Sequence, residues 1–186
     1  MLELTAMTAP ETHPQLTIRL AREADAAAVR EIFNEGVEDN LATFDAMPRS
    51  LEGQKRLIAA IEHDPRYPLF VAEVRGWACG TVAIEPHDER RGLDDMGEVV
   101  IFVRRSFRSY GVGRQLMRVA QAEAARLGYR KLLGRMLADN HDGLRLCQAS
   151  GWRVVGTHER HARHGDRLRD VVVVEYTIPS VAKAES

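Results

Sequence analysis

The sequence predicts an α/β domain of the α+β kind, a mixed central sheet of about seven strands flanked by about four helices. Three observations predict it. Short runs rich in Val, Ile and Leu recur along the chain, bounded by Gly, Pro, Asp and Asn. Longer segments between them repeat apolar residues every three to four positions, as amphipathic helices do. The order is strand, helix, helix, strand, strand, strand, helix, strand, helix, strand, strand, which lays helices on the faces of a sheet.

Each element has a local reason. LTIRLA (residues 16–21) alternates apolar and polar side chains as a half-buried strand does. DAAAVREIFNEGV follows as a helix, with Asp25 expected at its N-cap and Val29, Ile32, Phe33 and Val37 on one face. SLEGQKRLIAAIEHD is a second helix capped by Ser50. YPLFVAEV and GWACGTVAI are strands joined as a hairpin across Arg75-Gly76, and MGEVVIFV is another strand. GRQLMRVAQAEAARLG is a helix closed by Gly128, and KLLGRMLA is a strand. HDGLRLCQAS makes a short helix ended by Gly151, and RVVGTHERHARHG pairs with RLRDVVVVEYTI. One domain over residues 16–178 is expected, with residues 1–15 and 179–186 as flexible ends, since neither end carries periodicity.

Composition narrows the function. A chain of 186 residues with 45% hydrophobic and 28% charged side chains is long enough to bury a core as one domain. The net charge of -1 argues against a nucleic-acid binder, which needs basic residues concentrated on one face. Two cysteines, one within the apolar WACGTVAI, do not make a disulfide framework, so a reducing compartment fits. No apolar run reaches the roughly 20 residues of a membrane span, and residues 1–15 lack the basic region and apolar block expected of a signal peptide. A cytoplasmic enzyme of small-molecule chemistry is expected, with no membrane partner.

The stretch RSYGVGRQLM, residues 108–117, lies between a strand and a helix. The first turn of a helix has backbone N–H groups without partners and carries partial positive charge, so it suits an anion such as a pyrophosphate. Gly111 and Gly113 remove Cβ atoms that would hold phosphate oxygens away, and Arg108 and Arg114 add charge. A plain glycine turn with solvated arginines is the alternative for this motif by itself.

Strand, Arg108-Ser109-Tyr110-Gly111-Val112-Gly113, helix resembles the acyl-CoA signature Q/R-x-x-G-x-G/A of the GNAT N-acetyltransferases. Asn140, Gly143, Leu146, Gly151 and Trp152 resemble that family's second signature, N-x-x-A-x-x-L-Y-x-x-x-G-F. Thr43-Phe44, GEVVIFV, His164-Gly165 and Asp170-Val171 resemble the phosphinothricin-acetyltransferase-like branch. The resemblance covers residues 16–178 and implies the GNAT acyl-CoA N-acyltransferase fold, with acetyl-CoA as co-substrate and no metal. It implies that backbone groups of Ile101, Phe102 and Val103 pair with the pantetheine arm as an added strand. Arg108, Ser109, Tyr110, Gly111, Val112, Gly113 and Arg114 would hold the pyrophosphate. Asn140 would bond the pantetheine or cap the helix after it. The fourth and fifth strands would splay, with a bulge on the fourth aiming an amide at the thioester carbonyl.

Acetyl transfer to an amine needs a base, because an amine near a pKa of about 10.4 is mostly protonated at neutral pH. Glu98, at the head of its strand, stands where the phosphinothricin-acetyltransferase-like members carry their catalytic glutamate; a solvent-facing strand-end glutamate is the alternative. Cys147 stands where the commoner family pattern has a tyrosine that protonates the leaving thiolate. It is a candidate acid, but packing on the apolar stripe with Leu144 is the favoured reading.

Acceptor candidates are Phe33, Thr43, Phe44, Arg91 and His164. Phe33, Phe44 and Trp77 read better as core, and Arg90-Arg91 as a solvated charged loop. His158, His161 and His164 are spaced by three, which alternates faces in an extended segment and disfavours a metal site. The expected acceptor is the primary amine of a small, amino-acid-like or amine molecule, including phosphinothricin-type or sulfoximine-type analogues. A protein N-terminal or lysine acetyltransferase is the alternative enzyme, and a non-catalytic acyl-CoA sensor the alternative of another class. A homodimer is the expected assembly.

Overall fold

The computed structural model describes residues 16–39, 47–88, 91–164 and 166–179. The chain forms β1 (Leu16–Leu20), α1 (Ala26–Glu38), α2 (Leu51–His63), β2 (Leu69–Val74), β3 (Trp77–Pro86) and β4 (Met96–Val103). It continues as α3 (Val112–Leu127), β5 (Lys131–Leu137), α4 (His141–Ala149), β6 (Arg153–His164) and β7 (Arg167–Thr177). This is the element order read from the sequence.

The strands make one seven-stranded sheet in the order β1-β2-β3-β4-β5-β7-β6. Every neighbouring pair is antiparallel except β4 and β5. Arg75 and Gly76 both take positive φ, 51° and 80°, which suits the two-residue turn of the β2–β3 hairpin. On one face, Val82, Ile84 and Val99 join Leu116, Met117 and Ala120 of α3 in the larger core. On the other, α1 and α2 bury Val29, Ile32, Phe33 and Ile58 against Ala83 and Phe102. Glu85 and Glu98 are direct cross-strand partners, so both carboxylates rise from the same face of the sheet.

Four local expectations change. Asp25 does not cap α1; its carboxylate takes the Arg22 N–H at 2.7 Å and the Arg19 guanidinium at 2.7 and 2.8 Å, closing the short 3-10 turn before the helix. Trp77 is 77% exposed rather than core, because it is the first residue of β3, directly after the Arg75-Gly76 turn. The β3–β4 register runs unshifted from Pro86↔Gly97 to Gly80↔Val103, so the bulge expected on β4 is not in that ladder. In β6, a register shift between His158 and Ala162, with Arg160 at φ 51°, breaks the alternation and stacks the rings of His158 and His161 at 4.7 Å.

Candidate active site

β4 and β5 pair only from Met96↔Lys131 to Glu98↔Leu133. Beyond that they part, while β5 stays bonded to β7 as far as Leu137↔Val171. The gap opens a cavity of about 430 Å³ that runs from Glu98 along Ile101, Phe102 and Val103 to the glycine loop. The splay that the resemblance implied is therefore present, and Glu98 stands where it begins.

The loop end of the cavity is built by backbone conformation. Ser109 and Gly111 both have positive φ, 66° and 81°, turning the chain sharply into α3. A Cβ at Gly111 would meet nothing within 4 Å, so glycine is used there for its left-handed conformation. Gly113 acts differently. A Cβ there would stand 3.0 Å from Cδ2 of Leu146, so this glycine lets α3 approach α4.

Arg108, Ser109, Gly111, Gly113, Arg114 and Asn140 line the cavity. Val112 instead turns into the core at 3% exposure, and Tyr110 is 61% exposed. Arg108 bonds the Val103 carbonyl at 3.0 Å and the carboxylate of Asp39, which also takes Arg105 Nε at 2.6 Å. Burial raises the Asp39 carboxyl, but the bonds from Arg108 and Arg105 outweigh it and hold it below the usual carboxylate range. Asn140 caps α4, its Oδ1 accepting the Gly143 N–H at 2.9 Å. These residues fit a diphosphate-bearing donor: an open helix start, a Cβ-free turn and two arginines meet at one end of a groove.

At the other end, Glu98 is 9% exposed, so it is not a solvent-facing strand-end residue. Its two oxygens accept from Arg135 of β5, Nε to Oε1 at 2.8 Å and Nη2 to Oε2 at 2.6 Å. His87 Nδ1 lies 3.9 Å from Oε2. Across the β3–β4 ladder is Glu85, whose carboxyl burial raises; Arg49 opposes that rise and Glu98 adds to it. Glu85 also borders a small cavity of about 30 Å³ with Phe33, Arg49, Gln54 and Thr81, beneath α1 and α2. The Gln54 amide there is fully buried and has no hydrogen-bond partner among the described residues. The sheet thus presents carboxylates between two cavities, one leading to the glycine loop and one under the first helices.

Cys147 lines the larger cavity but is 6% exposed and packs in the α3 core, and burial pushes its thiol up to about 11. Transfer from such a thiol to an ordinary thiolate of about 8.5 is uphill, which favours the packing reading. Phe33 is 3% exposed, lies edge-on to Phe102 at 5.3 Å between centroids, and carries the Arg49 guanidinium 3.7 Å above its ring. It is core on one side and cavity wall on the other. Arg91 opens the 3-10 turn Arg91–Leu93, and His164 ends β6. Thr43 and Phe44 lie outside the described residues. Among the described residues no group of three His, Cys, Asp or Glu side chains is placed to hold a metal, and no helix is long and apolar enough to cross a membrane.

Arg135, Glu85, His87 and Arg49 were not among the sequence candidates. Arg135 had a signal, a charge in the middle of the apolar strand KLLGRMLA. Glu85 had none, because its pairing with Glu98 depends on strand register.

Residues 18–173 match the family model for the acetyltransferase (GNAT) domain. The chain is 28% identical over 152 residues to phosphinothricin N-acetyltransferase of Streptomyces viridochromogenes, covering 80% of this chain and 79% of that one. It is 27% identical over 143 residues to the L-methionine sulfoximine/L-methionine sulfone acetyltransferase of Salmonella typhimurium, covering 75% and 81%. The crystal structure of ribosomal-protein-alanine N-acetyltransferase from Brucella melitensis superposes with a TM-score of 0.83 at 26% identity, over 87% of this chain and 99% of that one. With the splayed strands, the glycine loop and the helix packing all in place, the chain belongs to the GNAT acetyltransferase family.

Proposed function

We propose that this chain transfers the acetyl group of acetyl-CoA to the primary amine of a small, amino-acid-like acceptor by direct attack, with Glu98 as the general base. The observation that carries this reading is the place of Glu98, a sheltered carboxylate at the end of the cavity that begins at the glycine loop. Relatives that act on phosphinothricin and on methionine sulfoximine support the acceptor class.

Bound acetyl-CoA would supply the thioester: the amine nitrogen forms the new C–N bond as the C–S bond breaks, and the departing thiolate takes up the proton that the nitrogen loses on becoming an amide. The residues of the chain do the rest. The α3 N-terminus and Arg114 hold the donor's anionic end, and the unpaired edge of β4 at Ile101 to Val103 offers backbone groups for an extended arm. Glu98 accepts the ammonium proton, giving the neutral amine that can attack. Cys147 keeps its proton and packs. The whole unit is one domain, residues 16–178, working in the cytoplasm as a homodimer.

Glu98→Gln is the test: turnover on an accepted amine falls about 10²-fold or more at neutral pH with acetyl-CoA binding retained. Wild-type turnover across pH 6 to 9 (about the range where a carboxylate base is ionised) would remove Glu98 from the role. The likeness to the ribosomal-protein-alanine enzyme favours one second reading, acetylation of a protein N-terminus. A thiol-release assay over amino acids, their sulfoximine and phosphinic analogues, polyamines, aminoglycosides and alanyl peptides separates the two. Turnover confined to peptides would replace the small-molecule reading.

A further inference from the structure

The pairing of β4 with β5 ends at Glu98↔Leu133, and Arg135 lies two residues further along β5 on the same face. Since the strands diverge there, no ladder bond holds them, and the Arg135 guanidinium bridges the gap to both oxygens of Glu98. A planar fork bonded to both oxygens fixes the plane of a carboxylate as well as its charge. Arg135 borders the cavity with its side chain 44% exposed, against 12% for Glu98.

We propose that Arg135 is the positioning residue of the reaction, fixing the plane of the Glu98 carboxylate and aiming it at the cavity so that it can receive the acceptor's proton. The proposal rests on the reading of Glu98 as the base. The groups facing Glu98 explain why such a residue is needed. Glu85 stands directly across the β3–β4 ladder, a second carboxylate on the same face. His87 approaches from the end of β3 to 3.9 Å, and Arg49, ahead of α2, acts on Glu85. Two carboxylates on one face repel each other, and a cation bonded to one of them offsets that repulsion. The Arg135 guanidinium is the group that donates two bonds to the charged form. Its bonds to Glu98 in turn raise the affinity of Arg135 for its own proton, so it stays a cation throughout the working pH range.

The test compares pH profiles of kcat and kcat/KM for the full chain, Arg135→Ala, Arg135→Lys and Glu98→Gln, using an amine from the acceptor panel. The rise in melting temperature with acetyl-CoA serves as the check that each variant is folded. In Arg135→Ala, kcat at neutral pH falls about 10-fold or more, and the acid limb of the profile moves up by about one pH unit or more. Arg135→Lys, which keeps charge but loses the fork, moves the limb less. Millimolar guanidinium, filling the space left in Arg135→Ala, restores part of kcat. A residue that merely braces the strands would lower KM-normalised rate equally at every pH and would not respond to guanidinium. An unmoved acid limb in a folded Arg135→Ala, or in Arg135→Lys with wild-type rate if the alanine variant does not fold, overturns the role of Arg135. Retention of the acid limb in Glu98→Gln overturns the base assignment itself, and the two failures are thereby distinct.

Discussion

Gly97 and Ile84 lie so close across the β3–β4 ladder that a Cβ on Gly97 would stand 2.6 Å from Cγ2 of Ile84. Tyr129 and Leu132 close the same spot at 3.2 and 3.3 Å. The residue before the proposed base is therefore a glycine for want of room, and the backbone that carries Glu98 is pressed flat on the core.

Gly97→Ala should push β4 away from Ile84, costing roughly 1–3 kcal/mol in stability, and should lower turnover by shifting Glu98. Melting temperature and kcat report the two effects. Ile84→Ala removes the crowding Cγ2; if crowding is the cause, the double variant loses less than the sum of the two single variants, whereas additive losses would point to another cause.

The two loop glycines should fail in different ways. Gly113→Ala meets Leu146, so it should lower stability with a modest loss of acetyl-CoA affinity. Gly111→Ala has open space but adopts φ 81°, costing about 1 kcal/mol from the left-handed conformation. Gly111→Glu places a carboxylate in the anion site and should abolish acetyl-CoA binding by calorimetry with the fold intact. Unchanged affinity in Gly111→Glu would place the pyrophosphate elsewhere.

Asp39 should act as a brake on the same site. Its carboxylate pairs with Arg105 and with Arg108, and an incoming diphosphate would compete for Arg108, which lines the cavity. Asp39→Asn should tighten acetyl-CoA binding several-fold at low ionic strength, with the gain shrinking as salt rises. It should also loosen the end of α1 and lower the melting temperature. Weaker binding in this variant would mean that Asp39 holds Arg108 in its productive position.

Cys147 separates packing from acid catalysis. Cys147→Ala should keep most turnover and lose stability through a small void, while Cys147→Tyr overfills a buried site and destabilises the domain by roughly 1–3 kcal/mol. With its thiol held near 11, Cys147 should also resist alkylation at pH 8 in the folded protein. A stable but inactive alanine variant beside an active tyrosine variant would make the thiol an acid.

Glu175 carries an acid-sensitive share of the stability. It is 7% exposed and accepts from Lys131 at 2.9 Å, with Arg153 on its other oxygen. The Lys131 bond holds its carboxyl below the ordinary 4.5, against the cost of burial. A depressed folded value means that the contribution is present above about pH 4.5 and is lost as pH falls through the lower folded value. Glu175→Gln should therefore lower the melting temperature at pH 7, and the gap to wild type should narrow below about pH 4. A gap that stays constant with pH would assign the loss to packing.

The elements were legible in the sequence because their causes are local. Ser50 accepts from Gly53 at 3.1 Å, Asn140 caps α4, and Gly111 and Gly128 bound α3 with φ of 81° and 83°, all as the residue types imply. Local rules failed where a side chain had a distant partner to choose. Asp25 had the composition of an N-cap, but Arg19 and the Arg22 N–H drew its carboxylate into the preceding turn. The histidines of β6 obeyed strand alternation only until a bulge reset it.

By itself the sequence determined the order of strands and helices, the glycine loop between β4 and α3, and Glu98 as a candidate base. Each of these depends on neighbours a few positions away or on a motif of fixed spacing. The tertiary structure decided what surrounds Glu98. Arg135 is 37 positions away in the chain and Glu85 is 13, and only the splay of β4 from β5 and the register of β3 bring them to one carboxylate. A guanidinium and a second carboxylate act on the first through space, and distance in space is what folding alone supplies.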